Sequence, residues 1–253
     1  MKFPVDPQTL VGFCLVLVRA TAWVLLCPPF NSPLIPKRVR GGFAVAMAFA
    51  LARTVGPTVG DLSSVGLVGA LFSQILAGLA LGAFVFVLFA AIQAAGELLD
   101  LQVGFSLGGI IDPMSGNMAA PIGRFQQLVG IAILFAINGH VLVVRAFVES
   151  VRFAPLGRVD TGALAGGLAR MLGVFLAAAI EIALPVLTAL FCTEVALGLL
   201  GKAAPQLNIL VIGFALKTMI AFALLGATFV LLPETTQSLL GRALQAAGKI
   251  FRH

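Results

Sequence analysis

The chain alternates long apolar runs with short stretches of proline, glycine and basic residues. The runs are too long for strands and read as helices. Several approach the roughly 20 residues that cross a bilayer. The first, Leu10 to Phe30, follows an N-terminus, MKFPVDPQTL, with one Lys and one Asp. A cleaved leader needs a more basic start and a small-residue cleavage site. Here Arg19 interrupts the run and no A-x-A site follows, so residues 10–27 are expected to form a first membrane helix. Cys27-Pro28-Pro29 stops it, because proline removes backbone donors. Asn31 to Arg40 reads as a Pro-containing basic loop, and Gly41 to Val55 as a second helix, short for a full span, ended by Gly56-Pro57. Asp61 to Ser64 reads as the N-cap region of a third helix. That helix, Val65 to Ala95, is long enough to span with tilt. It carries Gly78 and Gly82, a GxxxG spacing that lets another helix approach closely.

The longest uncharged run, Leu62 to Gly96, leads into the stretch around which the chain is organised: Gly96 to Arg124, GELLDLQVGFSLGGIIDPMSGNMAAPIGR. It is too rich in Gly, Pro, Ser and Asn to continue as a helix and too apolar for a solvated loop. Glu97 and Asp100 lie three apart, so a continuing helix would put both carboxylates on one face. Gly104, Gly108 and Gly109 follow, then the turn Asp112-Pro113-Met114-Ser115-Gly116, then Pro121. Irregular backbone at membrane depth is tolerated only where protein buries it or it lines a cavity. The stretch is therefore expected to form part of a pore constriction held by a helical frame.

Phe125 to Val144 reads as a fourth helix, its apolar character interrupted at Asn138-Gly139-His140. Arg145, Glu149 and Arg152 follow on one helical face, as an ion-pair ladder or a solvated helix end. Ala154-Pro155-Leu156-Gly157 is a turn. Arg158 to Arg170 is a small-residue linker and a subdomain boundary. Beyond it a helical hairpin is expected: a first arm from Met171 to Leu200, a turn from Gly201 to Gln206, and a second arm from Asn208 to Leu232, stopped by Pro233-Glu234. The tail from Thr235 to His253 is modestly amphipathic through Leu239, Leu240 and Leu244, and is expected to lie on a surface or a partner. About six apolar helices result. If Lys37 to Arg40 is cytoplasmic, simple alternation places Arg145, Arg152, Arg158 and Arg170 outside, against the positive-inside tendency. Either one segment does not span, or the bundle does not alternate.

Composition strengthens the membrane reading. Of 253 residues, 60% are hydrophobic and 10% charged, against about 25% charged in an average soluble domain. Such a chain could not cover its own surface in water. Twenty Phe, no Tyr and one Trp leave the interfacial aromatic belt nearly empty, which points to other protein surrounding much of the chain. The net charge of +6 is scattered except at Lys37-Arg38-Val39-Arg40. That cluster suits a membrane surface, and there is no basic stripe for nucleic acid. Cys14, Cys27 and Cys192 lie in apolar stretches without a CxxC pair, so neither a disulfide framework nor a zinc site is supported. They are expected to be small buried hydrophobes.

The sequence carries no HExxH, dinucleotide or Walker A signature, and Gly201-Lys202 is followed by Ala. No enzyme, metal or cofactor is expected. What remains is a set of ionisable residues at or inside apolar segments: Arg19, Glu97, Asp100, Arg145, Glu149, Glu181, Glu194 and Lys217. At membrane depth each costs several kcal/mol unless paired or hydrated. Glu181 or Glu194 with Lys217, across the hairpin, is one pairing. Structural pairing is favoured over an ion path, because several of these charges lie near helix ends and can snorkel.

Taken together, Gly96 to Gly116, Asn138-Gly139-His140 leading into Arg145 to Arg152, and Pro155-Leu156-Gly157 closely resemble the flagellar biosynthesis protein FliR family. This is the R subunit of the flagellar and type III secretion export gate. Pro29-Phe30 through Ile35-Pro36 and Arg38-Val39-Arg40 match its early loop. Glu194 with Leu197-Gly198-Leu199 matches the first hairpin arm. Ala204-Pro205-Gln206-Leu207-Asn208, with Gly213 and Lys217, matches the second. The resemblance covers nearly the whole chain. Ala215 departs from it, standing where the family's G-x-P-x-K stretch has proline.

The resemblance implies an all-α protein of kinked helical hairpins: a P-like part, residues 1–160, fused to a Q-like hairpin and tail, residues 161–253. It implies a hetero-oligomer of P and Q subunits with one R subunit, in contact with other export-apparatus membrane subunits, lipid and unfolded substrates. The site would be the inner membrane, at the flagellar basal body. It also implies a plug within the central loop, about residues 104–121, formed by Gly104, Phe105, Ser106, Leu107, Gly108, Gly109, Ile110, Ile111, Asp112, Pro113 and Met114. Polar contacts between helices or subunits are expected from Glu97, Asp100, Arg124, Arg145, Glu149, Glu194, Gln206, Asn208 and Lys217. The same family in a virulence secretion system, an autonomous small-solute channel, and a scaffold without gating are the rival readings.

Overall fold

The computed structural model describes residues 7–32, 35–55, 64–105, 120–153 and 161–251. Among them all regular structure is helical: α1 (Pro7–Leu26), α2 (Lys37–Val55), α3 (Ser64–Val103), α4 (Pro121–Ala136), α5 (Gly139–Phe153), α6 (Thr161–Ala203) and α7 (Ile209–Phe251). The expected all-α class is observed. The helices form two compact units. One takes Met1–Leu88, Asn138–Leu172 and Leu239–His253; the other takes Phe89–Ile137 and Gly173–Ser238. α3, α6 and α7 each contribute to both. This is a division by compactness, whereas the expected parts at residues 1–160 and 161–253 are a division by resemblance.

The first unit is built on α1. Trp23 stacks on Phe147 with ring centroids 4.7 Å apart and lies tilted against Phe30 at 5.2 Å, and Phe30 stacks on Phe43 at 5.0 Å. Aromatic pairs of this kind add about 0.5–1.5 kcal/mol each beyond the area they bury. One turn before Trp23, Arg19 is fully buried, and its Nη1 donates to the Ser150 carbonyl at 2.8 Å. A cation so placed is tolerable only with hydrogen-bond acceptors around it. α3 crosses α1 at the GxxxG pair. A Cβ on Gly78 would collide with the Arg19 carbonyl oxygen, and one on Gly82 would lie 3.0 Å from the Leu26 Cβ. The small residues therefore set the approach of the two backbones.

Several expected boundaries move. α3 does not end at Ala95 but runs through Gly96 to Val103, because its buried stripe continues through Ile92, Ala95, Leu99 and Val103 at helical spacing. α2 begins at Lys37, not Gly41. The Pro36 carbonyl accepts from the Val39 and Arg40 N–H groups, and Arg40 ties back to the Ser32 and Ile35 carbonyls. The expected fourth helix is two, α4 and α5, broken at Asn138, whose φ of 55° is one that asparagine tolerates better than most residues. The linker expected from Arg158 to Arg170 is helical from Thr161 onward. Pro233 does not stop the last helix but lies inside α7. Leu232, Thr236, Leu239, Leu240 and Ala243 form one buried stripe on both sides of it, and this packing carries the helix through. The expected surface tail is thus the end of α7. Of the three cysteines only Cys27 is buried; Cys14 and Cys192 are exposed.

By length and composition, four described helices are long and apolar enough to cross a membrane: Gln8–Leu26, Gly66–Val103, Ala165–Ala203 and Ile209–Val230. The bent pair α4 and α5 makes a fifth if counted as one span. α2, with three basic residues in its first turn, is not among them, which is one of the two ways out of the charge conflict. Large apolar side chains face outward along α6 and α7, including Phe191, Leu210 and Met219, as on surfaces that lipid or other protein covers.

Gly78→Ala is expected to destabilise the purified protein by about 1–3 kcal/mol through overpacking. Gly69→Ala, where a Cβ meets nothing within 4 Å, is expected to be neutral or to stabilise by about 0.5–1 kcal/mol. Thermal unfolding in detergent, followed by circular dichroism, compares the two. Equal effects would mean that α1 and α3 do not approach at the glycines.

Candidate functional site

The second unit contains both ends of the central segment. α3 is followed by Gly104, whose φ of 104° is one that glycine adopts without strain. The Asp100 carbonyl accepts from the Gly104 N–H at 3.1 Å and the Phe105 N–H at 3.0 Å, which closes the helix in the manner of a C-cap. α4 then starts with Pro121 in its first turn, where a missing N–H costs nothing. Its N-cap residue is Ala120, with no side-chain cap bond.

Asp100 supplies the missing cap from α3. Its Oδ1 accepts from the Ile122 N–H at 3.1 Å, and its Oδ2 from the Gly123 N–H at 2.9 Å. The carboxylate meets two donors that a helix start leaves unpaired, and it sits at the positive end of the α4 dipole. Hydrogen bonds to a charged group are each worth about 1.5–3 kcal/mol. One residue thus closes α3 with its backbone and opens α4 with its side chain. Glycine contact makes the reach possible. A Cβ on Gly96 would lie 2.6 Å from the Gly123 Cα, and one on Gly123 would lie 2.7 Å from the Glu97 Cγ.

The last turn of α3 is also tied to the hairpin of α6 and α7. The Gln102 Nε2 donates to Glu194 Oε2 at 2.7 Å. Lys217 Nζ pairs with Glu194 Oε1 at 3.2 Å and donates to the Gln102 carbonyl at 3.4 Å. The Lys217 side chain is 16% exposed and that of Glu194 54% exposed, so solvent or headgroups weaken the pair towards the surface range of about 0–1 kcal/mol. Next to this network Phe105 meets Phe214 edge to face, with centroids 5.7 Å apart.

The expected polar residues divide accordingly. Asp100, Glu194 and Lys217 join different helices. Glu97 stays within α3, accepting from the Gln93 amide at 2.8 Å. Arg145 and Glu149 pair with each other along α5 at 3.1 Å, with both side chains exposed in the single chain. Asn208 caps α7, its Oδ1 accepting from the Val211 N–H at 3.4 Å. Gln206 lies exposed in the hairpin turn, and Arg124 and Glu181 are exposed as well. Of the expected plug, Gly104 and Phe105 are described. Ser106, Leu107, Gly108, Gly109, Ile110, Ile111, Asp112, Pro113 and Met114 lie outside the described residues.

Sequence reasoning missed Gln102, Gln126 and Phe214. Continuing α3 past Gly96 would have brought Gln102 into its last turn. Gln126 is fully buried beside Gly96, and among the described residues neither of its amide atoms has a hydrogen-bond partner. An uncharged residue inside α4 gives no sequence signal of that kind.

Membrane-length apolar helices, with one bent pair and a stapled break between α3 and α4, define an all-α multi-pass membrane protein. Residues 10–243 match the family described as "Bacterial export proteins, family 1", and the chain belongs to that family. It is 32% identical over 225 residues to "Flagellar biosynthetic protein FliR" of Pectobacterium carotovorum subsp. carotovorum, covering 88% of this chain and 85% of that protein. It is 32% identical over 218 residues to the protein of the same name from Escherichia coli (strain K12), covering 83% and 81%. Over 151 residues it is 27% identical to "Surface presentation of antigens protein SpaR" of Shigella flexneri, covering 60% and 59%. With its apolar helices, the family makes this a multi-pass protein of the bacterial inner membrane.

A double-mutant cycle on Glu194→Ala and Lys217→Ala, read from unfolding in detergent, is expected to return a coupling of about 0.5–1 kcal/mol. Additive effects would show that the two charges do not act as a pair.

Proposed function

We propose that the chain is a subunit of the flagellar type III export gate, through which unfolded flagellar proteins leave the cytoplasm. One copy assembles with P and Q subunits around a channel, with residues 1–160 P-like and residues 161–253 Q-like. Other membrane subunits of the export apparatus surround the complex, and lipid covers what they leave. The plug lies in the central loop, about residues 104–121, and is formed by Gly104 to Met114. Phe105, Leu107, Ile110 and Ile111 are apolar enough to dewet a constriction at rest, and Gly104, Gly108 and Gly109 leave the backbone free to be pushed aside by a substrate chain.

The observation that carries this reading is the stapled stem. A plug must be held at its base and be deformable above it, and Asp100 ties the two helix ends that flank the segment. The chain performs no chemical step in this reading, so the driving energy comes from the apparatus around it. The two flagellar matches span 83% and 88% of the chain and the match to the "Surface presentation of antigens protein SpaR" 60%. That favours the flagellar over the virulence assignment.

The test is ion permeability of cells expressing this chain with its P and Q partners, with and without residues 108–114. Leakage and slowed growth are expected only from the deletion and only with the partners present. Unchanged permeability in a correctly assembled complex would leave a scaffold without a plug. Leakage from the unaltered chain alone would point to an autonomous channel.

A further inference from the structure

We propose that the face of α6 around Glu181 docks a membrane helix of another subunit, and that an Arg or Lys on that helix meets the Glu181 carboxylate. This rests on the reading of the chain as one subunit of an export complex. It adds the surface and the side-chain chemistry of one contact.

Three observations carry it. First, Glu181 is exposed near the middle of the candidate span Ala165–Ala203, several turns from either end. Its side chain is too short to reach a headgroup from there. Among the described residues no basic side chain forms an ion pair with it. A carboxylate left facing hydrocarbon costs several kcal/mol.

Second, Pro185 lies one turn further along, inside the helix, and it too is exposed. In a regular helix the N–H at that position donates to the carbonyl of Glu181, and proline has none. Glu181 therefore presents two acceptors on one face, a carboxylate and a carbonyl without its helical donor. Lipid tails offer neither charge nor donor at this depth. A basic side chain from another helix offers both. Arg suits the place best, because its planar fork can serve two acceptors at once.

Third, the surrounding face is apolar and open to a helix. Leu176, Ile180 and Leu184 are exposed around Glu181, a dry flank and not the lining of a hydrated channel. Gly173 and Ala177 precede Glu181 by two turns and one turn and are exposed with it. Small residues four apart let a second backbone come close. A Cβ on Gly173 would meet nothing within 4 Å, so nothing in the described chain uses that space. Apolar contact on both sides would exclude water from the charge pair, which strengthens it.

The experiment uses the full chain in cells that supply its P and Q partners. The photo-crosslinking residue p-benzoylphenylalanine replaces Ile180 or Leu184, and mass spectrometry maps the segment it captures. Both positions are expected to crosslink to an apolar helix of another subunit, within a turn or two of an Arg or Lys. Glu181→Arg is expected to lower the yield of assembled complex about tenfold through like-charge contact. Glu181→Gln keeps an acceptor oxygen and is expected to lower it less. Changing the mapped basic residue to Glu in the Glu181→Arg background is expected to restore the yield, which a merely structural role for Glu181 would not allow. Crosslinks only to lipid or within the chain overturn the proposal. So does a parent-like yield from Glu181→Arg, or a loss that the reversal does not restore. If Glu181→Arg does not enter the membrane, the crosslinks from the chain with Glu181 intact decide. Recovery of P and Q with the unaltered chain is measured alongside. If they are not recovered while crosslink and rescue hold with a different subunit, the docking face stands and the choice of P and Q as partners fails.

Discussion

A buried carboxylate must be met by donors, and Asp100 finds its donors at the start of the next helix. That requirement links a series of otherwise separate features of the second unit. α3 must continue past Gly96 for Asp100 to be on its buried face. Gly96 and Gly123 must lack side chains for the backbones to come close enough. α4 can begin at Ala120-Pro121 without a local cap because the cap comes from α3. The polar network of Gln102, Glu194 and Lys217 then fixes the last turn of α3 to the hairpin on another side. These contacts fix the described helix ends on either side of the central segment, Gly104 with Phe105 on one and Ala120 on the other.

The first unit solves a different problem with similar means. Arg19 is held by a backbone carbonyl, and the helix that carries it is approached by α3 at glycines. In both units one buried charged side chain, Arg19 or Asp100, is met by backbone atoms, and small residues let the backbones come near. The apolar outward faces of α6 and α7 are what a chain assembled among other membrane subunits leaves to be covered.

Much of this was legible before any coordinates. Apolar run lengths gave the helices and the class. The GxxxG at Gly78 and Gly82 marked a real crossing, and Lys217 found Glu194 across the hairpin. The failures share a cause. By local propensity Gly96, Pro233 and the small residues from Arg158 to Arg170 are helix breakers, whereas buried stripes carry α3 and α7 through, and α6 starts at Thr161 within that stretch. Local rules weigh a residue alone, and tertiary packing outweighs them. The cap on α4 was illegible for another reason. Asp100 and Ile122 are far apart in sequence, and only the fold brings them together. Arg145 and Glu149 were visible as a pair, but sequence could not distinguish a solvated face from a contact between helices.

The account turns on the Asp100 carboxylate holding the Ile122 and Gly123 N–H groups. Amide hydrogen exchange in the assembled, membrane-embedded protein reads this directly. The two amides lie in the first turn of α4, where an uncapped helix start exchanges nearly freely. The account predicts that both exchange at least about tenfold more slowly than uncapped first-turn amides, and that Asp100→Ala removes this protection without slowing or speeding exchange in the middle of α4. Fast exchange at Ile122 and Gly123 in the unaltered protein would contradict it.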